Sequence, residues 1–174
     1  MKKIPLGIRN NNPLNIRRVK GQKWKGEVPF PPPSEGTGEA VPSEGTGEVE
    51  ALPPPKGGGG SWSGEGAFVR FSSLPWGIRA TFCILDTYRK KYNATCVEDI
   101  IARWAPPSEN DTKRYVQTVC RLTGFGGKER LSENEWPKLV RAMATVESGA
   151  TLEDRDMELG VQLYQMLNQK QPKK

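Results

Sequence analysis

Residues 136–149 read WPKLVRAMATVESG, and this stretch decides the fold. Trp136, Leu139, Val140, Met143 and Ala144 recur at the spacing of one apolar face of an α-helix. Glu147 falls on the same stripe, three residues beyond Ala144. Ser148 follows, then Gly149, which reads as the residue just past a helix C-terminus. Apolar surroundings and the negative end of the helix dipole both disfavour an ionised carboxylate. A glutamate so placed is expected to keep its proton near neutral pH, and glycosidic bond cleavage needs such an acid. The plain alternative is a glutamate at the edge of an apolar face with its head in water.

Working outward, the flanking sequence is mostly helical. Ser132 and Glu135 have capping-box spacing and open the Glu147 helix. Asp111 or Asn110 caps TKRYVQTVCRLTG, which Gly124 closes. Thr95 and Glu98 form a second capping-box pattern before VEDIIARW, which stops at Pro106. Ser73 and Pro75 start a helix running to Tyr92, with Ile78, Phe82, Leu85 and Tyr92 on one face. A last helix is expected from about Asp154 to Leu167, with Met157, Val161 and Tyr164 facing in. Ala67 to Phe71, AFVRF, reads as a short strand, and Asn12–Pro13 as the start of a short helix over NPLNIRR. The expected class is mainly α with a small β portion.

Between these parts the composition changes completely. Residues 29–60 hold Pro29, Pro31, Pro32 and Pro33, a duplicated SEGTGE, PPPK and four glycines. With almost no apolar content this insert cannot offset its own ordering entropy, and a mobile loop or stalk is expected. The domain is therefore 1–28 joined to 61–174.

The 174 residues suffice for one domain with a core. There is no histidine, which excludes Ser-His-Asp and Cys-His sites and most zinc hydrolase sites, so no metal or cofactor is implied. Cys83, Cys96 and Cys120 are an odd, widely spaced set without a disulfide framework, and Cys83 and Cys120 read as small core residues. The formal charge of +6 suits an anionic polymer. No helix-turn-helix, zinc or RNA-binding motif signals nucleic acid. MKKIPLGIRNNNP lacks the apolar run of a signal peptide, and no stretch is long enough to span a membrane. Synthesis in the cytoplasm is expected, followed by release or carriage to a target outside it.

NNPLNIR, WKG, FVRFSSLPWGIRA and APPSENDTKRYVQTV together resemble the bacterial glucosaminidase family of cell-wall autolysins, in the lysozyme-like superfamily. In that family the catalytic Glu lies on a helix ending in Glu-Ser-Gly, placed before the Asn-Asn stretch. Here VESG comes last, at 146–149, so the order is that of a circular permutation. The chain also resembles a phage and prophage group carrying RNNNPxNIR and RWAPPxENDT, described as virion structural proteins or hydrolases. The resemblance spans about residues 7–28 and 67–149. It implies a lysozyme-like α+β domain, with Glu147 as general acid and peptidoglycan or another anionic glycan polymer as partner. Tyr115 corresponds to the last Tyr of the family's Tyr-Ala-Thr-Asp-Pro-x-Tyr segment, whose first Tyr is replaced by the Ala-Pro-Pro region.

Asn11, Asn12 and Asn15 offer amides suited to N-acetyl and hydroxyl groups, or they hold a local turn. Trp24 packs under a sugar ring or in the core. Glycosidases generally use two carboxylates, and Glu109, Asp111, Glu27 and Glu65 are the candidates for the second. A helix N-cap already accounts for Asp111. Three functions remain in view. One is a peptidoglycan glycan-strand hydrolase or lytic enzyme of phage or prophage origin. The second is a noncatalytic virion or cell-wall-binding protein that keeps the cleft. The third is a basic protein associated with nucleic acid, which charge alone permits.

Overall fold

The computed structural model describes residues 4–19, 21–29 and 67–168. Almost all of the 29–60 insert, and Glu65, lie outside the described residues. Among the described residues six α-helices follow in order: α1 Leu6–Arg9, α2 Leu74–Tyr92, α3 Val97–Trp104, α4 Thr112–Thr123, α5 Trp136–Ser148 and α6 Asp154–Asn168. The described chain is mainly helical, as its periodicity predicts.

Helix α5 is the axis of the body. Trp136, Leu139, Val140, Met143 and Ala144 are all buried along it. Its start is the expected capping box: Ser132 and Glu135 bond reciprocally, and the short 3-10 turn Glu133–Glu135 runs straight into α5. Gly149 ends the helix in the left-handed region at φ 64°, its N–H donating to the Thr145 carbonyl. Helices α2 and α6 pack closely because Gly160 leaves room for Ile78; a Cβ at Gly160 would collide with that side chain. The Phe82 ring lies 5.6 Å from Tyr164 and 6.1 Å from Trp136, which joins α2, α5 and α6 into one core. On α2, Ile78, Phe82 and Leu85 are buried as expected, but Tyr92 is 37% exposed. Near the helix end it leaves the core, and its ring carries the Arg103 guanidinium at 3.9 Å. Cys83, Cys96 and Cys120 are not joined in disulfides; Cys96 is the buried one, and burial raises its pKa.

Three local expectations are corrected. NPLNIRR is not a helix: α1 precedes it, and Asn11 and Asn15 take positive φ of 51° and 52°, which an α-helix cannot propagate. Asn12 does not cap; its Oδ1 accepts from the Ile16 N–H at 2.8 Å. AFVRF forms isolated antiparallel bridges, Phe68 with Arg17 and Phe71 with Glu27, rather than a strand. Turns at Asn15, Gly21 and Gly26 bring successive neighbours to it one residue at a time. The Thr95–Glu98 capping box is also absent, and Cys96 is the N-cap without a side-chain bond. The neighbouring loop supplies backbone partners instead: Glu98 N–H donates to Gly127 O at 3.0 Å, and Leu131 N–H to Thr95 O at 2.8 Å. Asp111 caps α4 as expected, accepting from the Arg114 N–H at 3.0 Å.

The N-terminal lobe, residues 4–29 with 67–71, is stitched to itself by backbone bonds. Val69 N–H donates to Ile16 O, and Val28 N–H to Arg70 O, both at 2.9 Å. Asn12 sits at its centre with 0% exposure, donating its amide to Ile16 O and Val69 O at 2.9 and 2.8 Å.

Candidate functional site

The C-terminal end of α5 carries Glu147 to where the lobe meets the helical body. Three donors converge on its carboxylate. Trp104 Nε1–H and the Tyr115 hydroxyl both donate to Oε1 at 3.0 Å. The Asn15 amide approaches Oε2 at 3.5 Å and donates to the Glu147 backbone carbonyl at 3.2 Å. The apolar surroundings expected from helical spacing are thus replaced by polar groups that the spacing of α5 cannot reveal.

Each donor is positioned by its own segment. Trp104 is the last residue of α3, where the chain turns out through Ala105 and Pro106. Tyr115 lies in the first turn of α4 and is 7% exposed. The Thr112 hydroxyl donates to Ala105 O at 2.6 Å, so the start of α4 is tied to the end of α3. The RWAPPSENDTKRY segment is in effect a clip that sets two aromatic side chains on one carboxylate oxygen. Burial, and then the negative Glu147 beside it, push the Tyr115 pKa well above the usual phenol value, so its hydroxyl stays a donor. Asn15 reaches across from the lobe with the left-handed backbone that aims its side chain at α5. Ser148 completes the junction, donating to Pro13 O at 3.1 Å.

The other expected site residues divide. Glu109 is exposed in the α3–α4 loop, with Arg17 at 4.0 Å. The Asp111 carboxylate is occupied by the helix cap. Asp111 and Tyr115, with Asn110, Arg114, Thr118 and Val146, line a shallow depression of about 170 Å³ beside the Glu147 cluster. Asn12 is sealed in the lobe and offers nothing to a ligand. Asn11 donates to Phe71 O at 2.9 Å and holds the lobe together. Trp24 packs against the core, and its backbone N–H donates to Glu27, whose carboxylate also pairs with Arg18 at 3.1 Å. A larger depression of about 330 Å³ between α5 and α6, floored by Pro137, Met157 and Val161, contains none of these residues. No group of three metal-ligating side chains occurs among the described residues.

Trp104 is the residue that sequence reasoning missed. Val97, Ile100, Ile101 and Trp104 have the spacing of an ordinary buried helix face, which hides a tryptophan whose ring nitrogen serves a carboxylate.

No family model matches the chain. The chain is 34% identical over 146 residues to Protein P5 of Pseudoalteromonas phage PM2, an alignment covering 83% of this chain and 71% of that protein. At that identity and coverage the chain belongs to the family of this phage protein.

Proposed function

We propose that this protein is a phage virion structural component whose helical body, of lysozyme-like type, binds peptidoglycan glycan at the Glu147 cluster. The observation that carries the reading is the meeting of Asn15, Trp104 and Tyr115 on Glu147. A carboxylate and an amide beside aromatic rings suit the hydroxyl, N-acetyl and apolar faces of an amino sugar. The phage origin of the relative supports the virion setting. Binding is preferred to cleavage because no second acid is held beside Glu147: Asp111 caps α4, and Glu109 is exposed in the α3–α4 loop with Arg17 at 4.0 Å.

One observation favours cleavage as a second reading. Among the described residues, Oε1 of Glu147 has two close donors, whereas Oε2 has the long contact to Asn15 alone. Such a clamp aims one oxygen, as a general acid acting with substrate assistance requires. Incubation with purified sacculi separates the readings. Co-sedimentation without released sugar ends means binding, and reducing ends or anhydro-sugars mean cleavage. No association with sacculi, together with absence of the protein from purified particles, would remove both.

A further inference from the structure

The depression of about 170 Å³ beside the Glu147 cluster is left unused by the contacts of Glu147 itself, yet both of its walls lead there. Val146, on one side, is the residue before Glu147 on α5. Tyr115, on the other, lines the depression and also sends its hydroxyl to Glu147 Oε1 at 3.0 Å. The remaining lining comes from Asn110 and Asp111, just before α4, and from Arg114 and Thr118 on its flank. Asn110, Asp111 and Arg114 are exposed. Among the described residues, the Asn110 amide and the Arg114 guanidinium meet no hydrogen-bond partner or counter-ion. Asp111 uses Oδ1 to cap α4, which leaves Oδ2 to accept another bond. The Thr118 hydroxyl donates to Arg114 O at 2.9 Å and keeps an oxygen able to accept.

This lining suits one kind of ligand. The amide and guanidinium donate, the carboxylate and hydroxyl oxygens accept, and Tyr115 and Val146 add apolar surface. One positive and one negative side chain offset each other, so the depression does not select a polyanion. A pyranose ring has hydroxyls that both donate and accept, and an apolar face between them. We infer that the depression is a second sugar position, next to the one at Glu147, which takes an uncharged N-acetyl sugar unit of the same strand. Asp111 and Arg114 are its hydroxyl-binding residues, and the whole site reads at least two consecutive units of a glycan. This rests on the binding reading above. A stem peptide fits less well, because extended peptides are taken at a free sheet edge or in an apolar groove, and the polar flank of a helix supplies neither.

The test uses the full chain and three ligands: N-acetylglucosamine, its β-1,4-linked tetramer, and intact sacculi. The wild-type protein is expected to bind the tetramer at least about tenfold more tightly than the single sugar, as added hydrogen bonds to charged groups imply. Combined Asp111→Ser and Arg114→Gln is expected to erase most of that advantage and to leave single-sugar binding unchanged. Asp111→Ser keeps a capping oxygen, and Arg114→Gln keeps a good helix former, so α4 is preserved. Arg121→Gln, further along α4, should change neither affinity. Should the double variant not fold, the wild-type ratio still decides, and equal affinity for single sugar and tetramer overturns this inference. Tetramer binding by the folded double variant at the wild-type level overturns it too and leaves binding at Glu147 standing. So does a loss confined to intact sacculi, which would assign the depression to the stem peptide. Binding to sacculi but to neither sugar form overturns the uncharged second position alone, and binding to none of the three removes the glycan reading as well.

Discussion

The indole nitrogen of Trp104 and the carboxylate of Glu147 lie 3.0 Å apart, although the residues belong to different helices and are 43 positions apart in the chain. The hydroxyl of Tyr115 meets the same oxygen at the same distance. One acceptor thus couples the ends of α3, α4 and α5.

That coupling is measurable. Trp104→Phe and Tyr115→Phe are each expected to destabilise the fold by about 1.5–3 kcal/mol, the usual range for a bond to a charged group. The double variant is expected to lose more than the two single losses together, since each single variant leaves Oε1 one donor and only the double variant strands it. Urea unfolding of the four proteins gives the interaction energy, and strict additivity would show that the two side chains do not share Glu147.

Replacing Glu147 separates folding from function. Glu147→Ala strands the Trp104 and Tyr115 donors and should cost about 1–3 kcal/mol. Glu147→Gln keeps an oxygen for both but sets its own NH2 group toward the Asn15 amide, so a smaller loss is expected. Both variants should weaken sacculus binding, and Glu147→Gln should abolish any sugar-end release. Full release by the Glu147→Gln protein would strike this residue from a cleavage mechanism.

Alkaline pH should weaken the fold through Tyr115. Its folded pKa lies above the unfolded value of 10.0, because burial and then Glu147 oppose the phenolate. Below that unfolded value its contribution is fully present, and it declines as pH rises toward the folded pKa. Denaturant midpoints from pH 8 upward should therefore fall less steeply past about pH 10 in Tyr115→Phe than in the wild type. Identical slopes in the two proteins would contradict the assignment.

Asn12 is expected to matter for stability and not for ligand binding. Asn12→Ala leaves Ile16 N–H and Val69 O without their buried partner, while Ile16 O keeps its bond from Val69 N–H. A loss of about 3 kcal/mol or more is expected from stranding these groups, read as a lowered melting temperature. Any of this protein that remains folded should bind sacculi as the wild type does.

The segment between the described parts of the lobe should be replaceable. Val28 N–H donates to Arg70 O at 2.9 Å, so the chain leaves and rejoins the lobe at adjacent points. Substituting residues 31–66 by a short Gly-Ser turn is expected to change the melting temperature little, because closure cost varies slowly with length. A drop of many degrees would mean that the removed residues contribute to the fold.

Local sequence determined most of the helical body. The apolar spacing in α5, the Ser132–Glu135 box, the Asp111 cap and the glycines at 124 and 149 all act within one or two turns, and each was readable from its neighbours. Expectations failed where a distant partner decided. The start of α3 takes backbone bonds from the 127–131 loop, so its capping pair stays unused. NPLNIRR carries a helix-start signal, yet the buried Asn12 amide closes onto Ile16 and Val69, and left-handed Asn11 and Asn15 divert the chain. The site divides in the same way. Periodicity placed Glu147 on the inner stripe of α5 and resemblance singled out Tyr115, but only packing could bring Trp104 and Asn15 to the carboxylate. Helical spacing specifies which way a side chain points from its own axis. What it meets there depends on how other helices cross, and that is settled by burial summed over the whole chain.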